Sequence, residues 1–208
     1  MKILGLTGSV GMGKSTAAGL LRRMGIAVFD ADRAVHRLLA PGGAAVAAVA
    51  AAFPGVAKGG GIDRGALGAR VFGDRGALAR LEAILHPRVE AAERRFVAQS
   101  RARRRRLIVL DVPLLFETAG ERRCDAVAVI WAPAFLQRAR VMARPGMSVA
   151  RLAFLRRQQT SEREKRRRAD FLVPSGLGRA VTWRHLRGVV RHLSERTNSP
   201  VTGRTSAC

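Results

Sequence analysis

The sequence predicts an α/β fold in which a five-stranded parallel sheet lies between helices, and three observations predict it. Short apolar runs alternate with stretches of helical periodicity. Two of those runs, LIVLD at 107–111 and the run at 125–131, are apolar almost throughout, as strands covered on both faces are. The first run, at 2–6, opens through a glycine-punctuated turn into a helical pattern, the strand–loop–helix order of a doubly wound sheet.

Each element follows in turn. Residues 2–6 read as a buried strand and 14–24 as a helix. A short strand at 27–29 leads into Asp30-Ala31-Asp32, and helical periodicity resumes as far as Leu39 before Pro41-Gly42-Gly43 breaks it. From 43 to 100 the pattern is alanine- and leucine-rich with no convincing strand, which predicts a helical insertion, interrupted at 53–61 and again at His86-Pro87. Strands at 107–111 and 125–131 come next. Helices are expected over 133–143 and 149–168, separated by Arg144-Pro145-Gly146, then a fifth strand at 171–173 and a last helix over 179–193. The chain of 208 residues is long enough to bury a sizeable core, and residues 1–194 are expected to form a single domain. Ser, Thr, Asn and Pro after Ser194 predict a disordered tail over 195–208.

The string Gly8-Ser9-Val10-Gly11-Met12-Gly13-Lys14-Ser15-Thr16 has the spacing G-x-x-x-x-G-K-[ST] between a predicted strand and a predicted helix. Glycines let the backbone curl so that its N–H groups face inward, and the helix beginning there adds a partial positive end, so phosphate oxygens are the natural ligand. Lys14 would reach the β- and γ-phosphates of ATP. Ser15 would ligate a magnesium ion bridging them, with Thr16 at the helix start.

Ligands of an open parallel sheet lie at the carboxyl ends of its strands, which directs attention to Asp30, Asp32 and Asp111. Asp32 reads either as the base that takes a hydroxyl proton or as the N-cap of the helix that follows it. Asp111 closes an apolar strand, where a carboxylate can hold the metal. Arg140 and Arg144, four apart, would share a helix face able to clamp phosphates. His86 with Pro87 reads as a joint at which a new helix starts. The arginine runs 103–106 and 166–168 read as solvated faces.

The formal net charge is +23, carried almost wholly by arginine, and such a field attracts polyanions without choosing among them. No apolar run reaches the roughly 18 residues of a membrane span, and two cysteines imply no disulfide framework, so a cytoplasmic protein without a membrane partner is expected.

Several motifs taken in order resemble the dephospho-CoA kinase family: TGSVGMGKST, Asp-Ala-Asp after the second strand, LEAILHP around His86, DVPLLFE from Asp111, RxxxR at Arg140 and Arg144, and QTSEREKRRRADFLV ending at Val173. The resemblance implies a P-loop kinase fold with a helical substrate-binding insertion at about 43–100 and a lid at about 137–159. It implies ATP and dephospho-CoA as substrates with magnesium as cofactor. It makes Asp32 the base toward the ribose 3′-hydroxyl, Arg140 a phosphate clamp, and His86 and Arg144 substrate-region residues. One departure stands out: Pro174-Ser175 follows the fifth strand where the family commonly has asparagine then glycine. The rival readings are a nucleoside monophosphate kinase, against which LEAILHP argues, and a basic nucleic-acid-binding P-loop protein. Nucleic acid is not expected as a partner despite the basic surface.

Overall fold

The computed structural model describes residues 1–157 and 159–195; the expected tail from 196 onward lies outside the described residues. The chain divides into two compact units, one of residues 1–28 with 100 onward and one of residues 29–99. In chain order the elements are β1 (Lys2–Thr7), α1 (Lys14–Arg23), β2 (Ala27–Asp30), α2 (Ala31–Leu39), α3 (Val46–Ala52), β3 (Ala57–Lys58), β4 (Gly61–Ile62), α4 (Arg64–Val71), α5 (Arg75–Ala102), β5 (Leu107–Asp111), β6 (Ala126–Trp131), α6 (Ala134–Met142), α7 (Val149–Arg157), α8 (Glu162–Arg167), β7 (Phe171–Pro174) and α9 (Arg179–Glu195).

The first unit is built on a five-stranded sheet of order β2-β5-β1-β6-β7. Strand β1 pairs in parallel with β5, Leu6 lying opposite Asp111, and with β6, Thr7 lying opposite Val129; β6 pairs in parallel with β7. Side chains alternate across the pleat, and both faces are covered. Leu4, Leu6, Ala128 and Ile130 pack with Ala17 and Leu21 of α1 and Leu186 and Val189 of α9. Val127 and Val129 turn the other way, onto Leu115 and Phe116. Two-sided burial is why β1, β5 and β6 read as continuous apolar runs, and each such leucine or isoleucine stabilises the fold by about 1.5–3 kcal/mol.

The second unit packs α2, α3, α4 and α5 around Leu39, Val49, Phe53, Val56, Leu67 and Leu85. Two differences from the sequence reading occur in it. The stretch read as strandless holds a two-residue antiparallel hairpin, β3 with β4, after Gly59 and Gly60 turn the chain at positive φ. His86-Pro87 does not start a helix: α5 runs through Pro87 without a break. Proline removes one backbone hydrogen bond and crowds the preceding turn. The bond lost is the one position 87 would have made to the Ala83 carbonyl; Leu85 anchors the helix in the core just before it, and just after it the Arg88 guanidinium donates to the Ile84 carbonyl at 2.6 Å and, off the helix, to the Ala44 carbonyl at 3.2 Å.

The helix expected over 149–168 is two helices. Ser161 caps α8, its hydroxyl accepting from the Glu164 N–H, and Gln159 and Thr160 before it are not helical.

Candidate active site

The phosphate loop forms as the spacing requires. Gly11 and Gly13 adopt φ of +79° and +88°, which side-chain-bearing residues rarely enter, and Gly13 is the N-cap residue of α1. No side chain caps that helix, so its first N–H groups stay directed toward the loop, beside the partial positive charge of the helix end. Met12 sits below, almost fully buried, its sulfur accepting from the Ala132 N–H at 3.1 Å. Ser15 and Thr16 are exposed on the first turn of α1.

Lys14 is bound at its tip. Its Nζ lies 2.7 Å from Asp111 Oδ1, with the lysine side chain 13 % exposed and the aspartate 3 %. Strand pairing explains the meeting: Asp111 ends β5 opposite Leu6, and the loop that leaves β1 folds Lys14 back over that strand end. The pair holds the ammonium in place at the end of β5.

Arg140 also belongs to this cluster. Its guanidinium donates to the Ser175 hydroxyl at 3.0 Å and to the Ser175 carbonyl at 2.8 Å, and the same hydroxyl donates to the Met12 carbonyl at 2.6 Å. A Cβ on Gly13 would lie 3.5 Å from the guanidinium, which places Arg140 at the lip of the loop. Arg144 does not share that face. Helix α6 ends at Met142 and the Arg144 N–H turns to the Val141 carbonyl at 3.0 Å, so Arg144 falls past the helix end, exposed.

Asp32 and His86 lie in the second unit. The Asp30 side chain accepts from the Arg33 N–H at 2.9 Å and is the N-cap of α2. This resolves the choice the sequence left open about capping: Asp32 is the second residue of α2, and its side chain is exposed. His86 is exposed on α5.

Sequence reasoning passed over several residues around the loop. Gln137 is buried, and its amide donates to the Val10 carbonyl at 2.9 Å; Gln159 accepts from the Val10 N–H at 3.2 Å. Lys165 is fully buried against Glu117 at 3.1 Å, and Glu117 also accepts from the Thr160 N–H at 2.6 Å, which joins the DVPLLFE segment to the segment ahead of α8. Arg166 and Arg168 are exposed, as the solvated reading expects, and also lie over the rings of Trp131 and Phe116 at 4.9 and 4.4 Å. The one signal in the sequence was a glutamine set among apolar positions of α6, four residues before Val141. A cleft of about 470 Å³ opens beside the loop, lined among others by Ser9, Met12, Trp131, Arg156 and Gln159.

The family model for dephospho-CoA kinase matches residues 2–176, which takes in the loop, Asp111, Arg140 and Ser175. The chain belongs to the dephospho-CoA kinase family. A dephospho-CoA kinase from Paramagnetospirillum magneticum is 66 % identical over 166 residues, 80 % of this chain and 78 % of that one. Among solved structures, TT1252 from Thermus thermophilus is 35 % identical with a TM-score of 0.75, over 92 % of this chain and 97 % of its own. The dephospho-CoA kinase from Campylobacter jejuni, at 23 % identity, shares the fold with a TM-score of 0.63, over 93 % of this chain and 98 % of its own. The family assignment makes this an ATP-dependent kinase of the P-loop class.

Proposed function

We propose that the chain transfers the γ-phosphoryl group of ATP to the ribose 3′-hydroxyl of dephospho-CoA, giving coenzyme A and ADP. The observation that carries this reading is the N-terminus of α1, which no side chain among the described residues caps, with the Lys14 ammonium held at Asp111, in a chain that matches the family through all of that machinery. The hydroxyl oxygen bonds to the γ-phosphorus as the bond from that phosphorus to the β–γ bridging oxygen breaks. The hydroxyl proton passes to a carboxylate, and the bridging oxygen leaves on ADP.

In this reading the loop amides and Lys14 neutralise charge on the phosphates, and Arg140 adds a guanidinium at the lip. Asp32, exposed on the first turn of α2, is the proposed base. His86 and Arg144 are proposed to contact dephospho-CoA, with 43–100 as the substrate-binding insertion and 137–159 as the lid. Magnesium fits the donor set: an exposed Ser15 hydroxyl at the helix start and the Asp111 carboxylate one strand over are hard oxygen donors. When bound, the ion would be held by Ser15 and Asp111 and would neutralise phosphate charge. Lys14 exchanges Asp111 for phosphate as ATP enters. The proposed compartment is the cytoplasm; no helix among the described residues is long and apolar enough to cross a membrane.

Coupled ADP release with dephospho-CoA, AMP, CMP, dTMP and single-stranded RNA as alternative acceptors tests the proposal. Release that depends on dephospho-CoA alone is expected. Equal turnover of a nucleoside monophosphate would replace the acceptor, and stimulation by RNA would favour the nucleic-acid reading.

A further inference from the structure

Three consecutive residues at the tip of the phosphate loop are each addressed by one face of α6, at positions i, i+3 and i+4. Gln137 Nε2 donates to the Val10 carbonyl. Val141 crowds Gly11 so closely that a Cβ there would lie 2.5 Å from Val141 Cγ2. Arg140 fixes the Ser175 hydroxyl that donates to the Met12 carbonyl.

Peptide planarity gives these contacts a consequence. In a trans peptide the carbonyl and the following N–H point in opposite directions. A Val10 carbonyl turned to Gln137 therefore sends the Gly11 N–H the other way, and a Met12 carbonyl turned to Ser175 does the same for the Gly13 N–H. Two loop amides are aimed by groups that touch only the carbonyls behind them.

Gln137 is itself fixed. Its Oε1 accepts from the Arg156 guanidinium, and since an amide can donate only through its nitrogen, the nitrogen is left facing Val10. The Gln159 N–H donates to the Arg156 carbonyl at 3.2 Å, and Gln159 Oε1 accepts from the Val10 N–H. The ring closes through Val10, Gln137, Arg156 and Gln159, with Gln137 only 2 % exposed.

We propose that Gln137, together with Ser175, is a positioning residue that sets the direction of the Gly11 and Gly13 amides, and that Arg156 and Gln159 hold Gln137 and the Val10 peptide in that setting. Loss of either contact releases the Val10 peptide and unaims the Gly11 amide, so phosphate binding and the seating of Arg156 and Gln159 are coupled. The proposal rests on the loop being the ATP site, which ATP binding by the unaltered protein tests separately.

Three variants test it, with KM measured for each substrate and a melting curve recorded for each. Gln137→Glu keeps an acceptor for Arg156 and loses the donor to Val10; Gln137→Met loses both at similar length; Ser175→Ala loses the donor to Met12. Each is expected to raise KM for ATP about tenfold, the value of one hydrogen bond, with KM for dephospho-CoA within about twofold. If Gln137→Met proves too unstable to assay, Gln137→Glu and Ser175→Ala carry the test. Unchanged ATP parameters in the folded variants would overturn the proposal. So would equal weakening of both substrates, since a purely structural loss does not single out the nucleotide.

Discussion

Lys14→Met separates two functions of one side chain, because Lys14 is both the loop cation and the ion-pair partner of a buried carboxylate. The sequence presents Lys14 as a loop cation reaching phosphate, with nothing to say that the fold leans on it. The structure predicts otherwise. Removing one member of a buried pair typically costs about 3–5 kcal/mol, since the remaining charge keeps its desolvation penalty. Lys14 is 13 % exposed, so water reaches the vacated position, and the lower end, about 3 kcal/mol, is expected. For a chain of this size that lowers Tm by roughly 6–12 °C. Turnover should fall at least about a hundredfold, as it does when one preorganised donor to developing charge is removed. Adding Asp111→Asn to the variant removes the carboxylate charge and should recover part of the lost Tm but none of the turnover. Thermal melts and single-turnover ADP release on the wild type, both single variants and the double variant read the two effects apart. A Lys14→Met protein that melts with the wild type would refute the buried-pair argument, and one that turns over normally would refute the loop as the reaction site.

Two further outcomes follow from the same geometry. Asp32→Asn should leave Tm unchanged, because Asp30 and not Asp32 caps α2, while single-turnover transfer at saturating ATP and magnesium falls by about a hundredfold to ten-thousandfold; wild-type rates would remove Asp32 as base. Burial works against the charged form of Asp125, yet hydrogen bonds from Lys2 Nζ at 2.9 Å and the Ile3 N–H at 2.8 Å prevail and hold its carboxyl below the usual range. A depressed carboxyl stabilises the folded chain above its unfolded pKa of about 4 and loses that contribution as pH falls through the folded value. Asp125→Asn should therefore cost no more than about 1 kcal/mol at pH 7 in urea titrations, and the gap to wild type should close at low pH. A gap that persists at low pH would rule out the ionised carboxylate as its source.

Much was legible without coordinates wherever the signal was local. Strands β1, β5 and β6 are covered on both faces, so nearly every residue in them is apolar, and the loop announces itself because its conformation depends on glycines at fixed offsets from Lys14. Asp111 could be found as the residue closing an apolar strand. What depended on contacts between distant residues was not legible. Gln137 meets Val10 across 127 positions, Ser175 meets Met12 across 163, and Lys14 meets Asp111 across 97; no local propensity encodes any of them. Helix α5 continues through Pro87 with Leu85, two residues before it, held in the core, and packing of that kind is invisible to a rule by which proline starts or ends a helix. The cap of α2 fell on Asp30 and not Asp32 because either aspartate satisfies the sequence rule, and the helix start was decided by the path of the chain leaving β2. The sequence by itself determined the sheet, the phosphate loop and the family. Only the tertiary structure decided which side chains aim and hold that loop, because those contacts exist only once the sheet has brought the ends of β1, β5, β6 and β7 to neighbouring places.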